Sequence, residues 1–334
     1  MKRIFGKKMK IKKNVKTGKK MKLCIGCLLL LAVLSGCTTD NDAGVPQAGS
    51  PAVPLQIGRA VLATEPSTRA VVEKEVPAGS VMGVFRRADA DYNQVSNEPY
   101  LLDGMQWEPV NPDMAIGLRN AVSHLGAFYP FGVLPARGIN VTLTARLWAA
   151  DKEAYYAPFT ASSLSATASF TMHHVYSRVS VRFKRDNINF PNGTGKVTTF
   201  EMQGTGIYTN ALLDVTKALN ESPFSGYDTP GVSVAGFTRT ATLKGDADAT
   251  DQSDCVDLLM VPNALSGDMT LKATVDDKEM SLKLAATKFG SKLEAGKRYN
   301  VVVTIRGTAL WVNSIQFAGW DETPISGDID SEFQ

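Results

Sequence analysis

Short apolar segments recur along most of this chain, each alternating or β-branched and each closed by Gly, Pro, Asn or Asp. Residues 80–85 (SVMGVF), 139–148 (INVTLTARLW), 177–183 (SRVSVRF), 196–202 (KVTTFEM), 268–275 (DMTLKATV), 280–286 (MSLKLAA) and 299–305 (YNVVVTI) all follow the pattern. Period-two alternation puts one face of a segment in a core, and turn residues at each end make it a strand. Long segments with a 3.6-residue period are nearly absent. One short stretch, 209–220 (TNALLDVTKALN), reads as a surface helix. The expected fold is therefore all-β, built as antiparallel sandwiches. Val275-Asp276-Asp277-Lys278 separates two alternating runs with the spacing of a tight two-residue turn. Pro and Gly cluster in 187–195 (NINFPNGTG), which predicts a division near residue 190.

The first 36 residues follow a different rule. A lysine-rich segment runs into an apolar stretch from Leu23 to Gly36, then Cys37, then polar and acidic residues. The stretch is shorter than the roughly 20 residues that span a bilayer, and basic, apolar and small residues in that order form a secretory signal peptide. Leu34-Ser35-Gly36-Cys37 resembles a bacterial lipobox, whose cysteine is acylated. Asp40-Asn41-Asp42 resembles the acidic export signal of surface lipoproteins. Met21 could equally serve as the start without altering this reading. Removing residues 1–36 takes away 11 of the 36 Lys and Arg and no acid. The mature chain of 298 residues then carries 25 basic and 33 acidic residues, a net charge of −8. It shows no basic stripe of the kind that binds nucleic acid. Only Cys255 remains as a free thiol, so no intramolecular disulfide can form.

Residues 37–54 read as a flexible tether, 55–190 as an N-terminal β-sandwich and 191–334 as a C-terminal one. Chemistry is sparse. His173 and His174 are adjacent, so on a strand they face opposite ways and do not share a metal. His124 stands alone, and no HExxH, paired CxxC or GxSxG occurs. Asp246, Asp248 and Asp251 lack the glycine hinge and distant Glu of an EF-hand and read as a solvated loop. Trp107, Tyr155, Tyr156 and Trp320 either stack on sugars from an exposed groove or belong to the core. No catalytic constellation, metal site or cofactor site is expected, and the chain is read as a non-enzyme.

Several segments, in their order, resemble the fimbrillin-like (type V pilin) lipoproteins of Bacteroidetes. They are STRA (67–70), PAGSVMGVF (77–85), NEPYLLDGMQWEP (97–109), AFYPFG (127–132), FTMHHVYSRVSVRF (170–183), LLMVPNALSG (258–267), LEAGKRYNVVVTIRG (293–307) and FAGW (317–320). The resemblance implies two transthyretin-like β-sandwiches and export to the outer membrane as a surface-exposed lipoprotein, with a place in the fimbrium after processing. It also implies assembly by donor-strand exchange: an Arg-specific protease removes the first strand and a neighbouring subunit refills the groove. On this chain the displaced strand would be residues 53–64, with Val53, Leu55, Ile57, Val61 and Ala63 on one face. Arg69-Ala70 is the first cleavage candidate and Arg59-Ala60 the second. Residues 311–334 would offer a donor strand, although their acidic end suits an exposed tail. Partners would be other fimbrial subunits, the outer membrane through the lipid, and host or bacterial surface receptors. A lipid-retaining anchor and a glycan-binding surface lipoprotein are the alternatives.

Overall fold

The structure, a computed structural model, describes residues 52–64, 72–247, 249 and 253–320. The architecture is all-β, as the alternation requires. In chain order the first strands are β1 (Gln56–Thr64), β2 (Val72–Glu75), β3 (Val81–Arg86), β4 (Val95–Asp103), β5 (Gln106–Pro109) and β6 (Ser123–Tyr129). β7 (Asn140–Thr144), β8 (Tyr155–Ala161) and β9 (Thr167–His174) follow. All of these except β7 form one eight-stranded sheet in the order β9-β8-β6-β3-β4-β5-β1-β2. β1 also pairs in parallel with β9, so the sheet closes on itself through β1. Its interior holds Leu55, Ile57, Met82, Val84, Tyr100, Trp107, Leu125 and Met172, all buried.

Later strands include β10 (Ser177–Arg185), β11 (Lys196–Thr205), β12 (Tyr208–Asp214), β13 (Cys255–Met260), β14 (Ser266–Val275), β15 (Lys278–Ala285), β16 (Lys297–Arg306) and β17 (Ala309–Gly319). β13, β10, β16 and β17 are neighbours in one sheet; β11, β14 and β15 are neighbours in another. Alternate residues from both fill a second core, including Val179, Val181 and Phe183 of β10, Phe200 and Met202 of β11, and Val301 and Val303 of β16. Val141 and Leu143 of β7 belong to this second cluster although they precede residue 190.

Residues 209–220 are not a helix. They form β12 and, after it, a single 3-10 turn at Leu219–Glu221. Ala211, Leu213 and Val215 are buried in alternation, and β12 pairs with β7 on one side and Phe224–Pro230 on the other. Two ladders of main-chain hydrogen bonds and period-two burial override the helix propensity of Ala and Leu.

The tight turn between β14 and β15 is present, with Val275 paired to Lys278. Asp276 and Asp277 have φ of 45° and 62°, the pair of positive angles that fits a type I′ hairpin turn. Asp276 also accepts hydrogen bonds from Gly195 N (3.1 Å), Lys196 N (3.0 Å) and Thr194 Oγ1. Asp277 has no such role among the described residues, and glycine carries no penalty in that conformation. Asp277→Gly should therefore raise stability by about 0.5–1 kcal/mol, read as a higher urea midpoint. An unchanged or lower midpoint would contradict the turn assignment.

Candidate functional site

The histidines, the thiol and the aromatic residues singled out for chemistry have a structural place. His124 is exposed, His173 is half-buried and His174 is buried. Asp246 is exposed, while Asp248 and Asp251 lie outside the described residues. Among the described residues no three His, Cys, Asp or Glu side chains gather as a metal site. The Cys255 thiol is buried, and burial followed by the neighbouring Asp257 charge pushes its pKa up, which removes thiolate reactivity.

The four aromatic candidates resolve as core. Trp107, Tyr155, Tyr156 and Trp320 are 4%, 9%, 1% and 0% exposed, so none of them presents a sugar-stacking face. Three aromatic residues instead converge on Glu153. Its Oε1 accepts from Trp148 Nε1 (2.8 Å) and Trp320 Nε1 (3.1 Å), and its Oε2 accepts from Tyr155 OH (2.9 Å). The closing FAGW segment thus returns to the strands of the first core, with Trp320 stacked on His174.

The part of the molecule with the most consequence for assembly is β1. It pairs in parallel with β9 from Gln56↔Thr167 to Leu62↔Met172 and antiparallel with β2 from Val61↔Glu75 to Thr64↔Val72. It meets β5 only at Ile57↔Trp107. Beside that short junction lies a groove of about 400 Å³, lined by Pro54, Leu55, Ile57, Trp107, Pro109 and Ala115 among others. The register slips at Gly58, because Ile57 faces Ala168 while Arg59 faces Ser169. That bulge inserts one extra residue and reverses the inward phase. Leu55 and Ile57 point into the first core before it, and Ala60 and Leu62 after it. Val61 and Ala63, expected on the same face as Leu55 and Ile57, are buried on the opposite side. Val53 is 37% exposed.

Arg59 projects from the outer face of β1. Its Nη1 donates to Glu73 Oε2 at 2.8 Å and its Nη2 to Glu75 Oε1 at 2.9 Å. Those two bonds, more than the carboxylates' field, hold the guanidinium's pKa above its ordinary value. Glu73 and Glu75 had no place in the sequence reading. The signal was the alternating acids of Val72-Glu73-Lys74-Glu75, too brief to separate from an ordinary solvent face. Cys37, Asp40, Asn41, Asp42 and Arg69 lie outside the described residues, as do 321–334. Trp311–Gly319 is part of β17, paired with β16 along its length, and is not a free strand.

Comparison with known proteins places the chain. No curated protein matches its sequence. A crystal structure of a Bacteroides ovatus protein provisionally assigned to cell adhesion aligns with 81% of this chain and 99% of its own, at 16% identity and a TM-score of 0.52. A similarly described protein from Bacteroides uniformis aligns over the same shares, at 16% identity and a TM-score of 0.49. The family described as fimbrillin-like matches residues 68–320. The chain belongs to the fimbrillin-like family.

Proposed function

We propose that this chain is a fimbrial subunit or accessory subunit serving cell adhesion, exported as a lipoprotein on Cys37 and assembled by exchange of β1. Family membership supports a fimbrial or adhesive role at the cell surface and a structural rather than enzymatic one. The exchange step rests on one observation: β1 is the strand through which the first sheet closes. Its loss would withdraw Leu55, Ile57, Ala60 and Leu62 from the first core and leave the β9 ladder unpaired. An open edge beside an apolar groove is a template for another strand. Main-chain hydrogen bonds would supply affinity for that strand and side-chain pockets its register. Repeated head to tail, such a contact does not close and builds a filament.

Arg69 remains the first cleavage candidate. It lies in sequence between Thr64, the end of β1, and Val72, the start of β2, so a cut after it separates β1 from the body. Arg59-Ala60 lies inside β1, with Ala60 buried and the guanidinium held by two carboxylates. A protease reaching that bond needs β1 to have left already. A donor strand from this chain would come from residues 321–334 or require β17 to leave β16.

The test is the N-terminus of the protein on the cell surface, read by mass spectrometry. An end at Ala70 is the expected result for a polymerising subunit. Diacylated Cys37 with no shorter form would overturn strand exchange for this chain and leave a lipid-retaining anchor.

A further inference from the structure

The slot that β1 fills carries a charge as well as an apolar pattern. Glu73 and Glu75 are alternate residues of β2, on one face of it, and both reach Arg59. Thr171 Oγ1 of β9, on the other side of β1, donates to Glu73 Oε1 at 3.2 Å. When β1 leaves, β2 loses the one ladder it makes among the described residues, and its two carboxylates, kept on the body through the buried Val76, lose their cation. The bulge adds a second requirement. Inward apolar positions fall at 55, 57, 60 and 62, so their spacing is two, three, two. Inside the longer gap sits Gly58, where an added Cβ would lie 3.3 Å from Thr167 Cγ2, tighter than ordinary contact. The slot therefore reads two apolar residues, a small residue, a cation, then two more apolar residues, running parallel to β9.

Residues 307–334 of this chain do not meet that pattern. They contain no Lys or Arg, and 321–334 carry Asp321, Glu322, Asp328, Asp330 and Glu332. Laid beside Glu73 and Glu75 they would set acid against acid, which is destabilising across strands.

We propose that the slot vacated by β1 selects an extended segment with a basic residue in the register of Arg59, disfavours this chain's own acidic end, and so takes its replacement strand from a different subunit. The inference rests on the displacement of β1 argued above. Its energetics concern selectivity more than affinity. The three side chains are 52%, 39% and 71% exposed, so each ion pair contributes little on its own. Two pairs lost, with like charges put in their place, compound to a discrimination on the order of tenfold.

The experiment uses the full mature chain with a specific protease site in place of residues 65–71, cut and kept with both pieces present. Labelled peptides then compete for the slot: residues 53–64, the same peptide with Arg59→Lys, the same with Arg59→Glu, and residues 321–334. The native and Arg59→Lys peptides should enter on the order of tenfold more tightly than the other two. The gap should narrow in 1 M NaCl, where charges are screened beyond about 3 Å. Glu73→Lys with Glu75→Lys in the body should invert the order in favour of Arg59→Glu. Equal entry of the native and Arg59→Glu peptides, an order unmoved by the charge reversal, or entry of residues 321–334 as tight as the native peptide would overturn the selectivity while strand displacement stood. Failure of every peptide to enter, the native one included, would overturn displacement itself and the inference with it.

Discussion

Acidification from about pH 6.5 should destabilise this protein well before its carboxylates titrate, and His174→Phe should remove most of that loss. His174 is 2% exposed, with Tyr155 and Trp320 at ring-centroid distances of 4.3 and 4.0 Å. Neither ring nitrogen has a hydrogen-bond partner among the described residues. Burial, reinforced by the neighbouring charges of His173 and Arg178, pulls its pKa down to about 3. In the unfolded chain an imidazole titrates near 6.5. Between those values the unfolded state binds a proton that the folded state refuses, so stability falls as pH falls, by about 1.4 kcal/mol per pH unit.

Burial raises the Glu98 carboxyl, which opposes the loss in both proteins alike, and the carboxyls held down by hydrogen bonds act lower on the scale. Burial raises the Asp276 carboxyl, but hydrogen bonds from Thr194, Lys196 and Gly195 outweigh it and leave the pKa below its ordinary value. A carboxylate of that kind contributes stability above its unfolded pKa, near 4, and loses it as pH falls through the folded one. Between pH 6.5 and 4.5 the difference between wild type and His174→Phe therefore isolates the imidazole. Wild type should lose about 2–3 kcal/mol across that range, measured by urea unfolding, while His174→Phe stays nearly flat. Parallel curves for the two proteins would mean that His174 is protonated in the folded state or that another group carries the loss. The comparison is of slopes, because the larger phenyl ring shifts the absolute stability by its own packing.

How far the fold was legible depends on where alternation runs unbroken. Ser177–Phe183 shows it plainly, and Val179, Val181 and Phe183 enter the second core. The even residues of the same strand were less predictable. Arg178, Ser180, Arg182 and Lys184 would ordinarily face water, yet all are buried on the other side of the sheet. Period two tells which residues share a face but not whether a second layer covers it. At Gly58 the period itself breaks, and Val61 moves to the face opposite Leu55 and Ile57. A bulge is a register between two strands, here β1 and β9, and a single strand's sequence does not contain it. The same limit hid the partners of Arg59. Glu73 and Glu75 lie 14 and 16 residues away, and only the antiparallel pairing of β1 with β2 brings them to the guanidinium. Trp107 and Trp320 were ambiguous for another reason: aromatic side chains suit both a core and a recognition surface.

That buried polar face sets up the largest single-residue effect. Asp257→Ala should cost about 3–5 kcal/mol. Asp257 Oδ2 accepts from Arg178 Nη2 at 2.9 Å, its Oδ1 accepts from Ser180 Oγ, and Arg298 Nη2 stands 3.8 Å away. Arg178, Arg298 and Asp257 are all nearly inaccessible, with side chains 5–6% exposed. Burial and then the adjacent Arg178 charge already pull the Arg298 pKa down, so this site holds cations at a cost that Asp257 offsets. Removing the carboxylate strands Arg178 between the Trp148 ring, 3.8 Å away, and the like charge of Arg298. Removing all three charges is a different matter. Arg178→Met and Arg298→Met with Asp257→Leu takes away the desolvation penalty together with the attraction, and such exchanges are often neutral or stabilising. The triple variant should therefore regain most of what Asp257→Ala loses. A loss below about 1 kcal/mol in Asp257→Ala, measured by urea unfolding at pH 7, would mean that water reaches this face and that the pair acts as a surface one. If instead the triple variant stays as unstable as the single, the arginines and aspartate are fixing the register of β13 against β10 and β16, which apolar side chains of similar size do not reproduce.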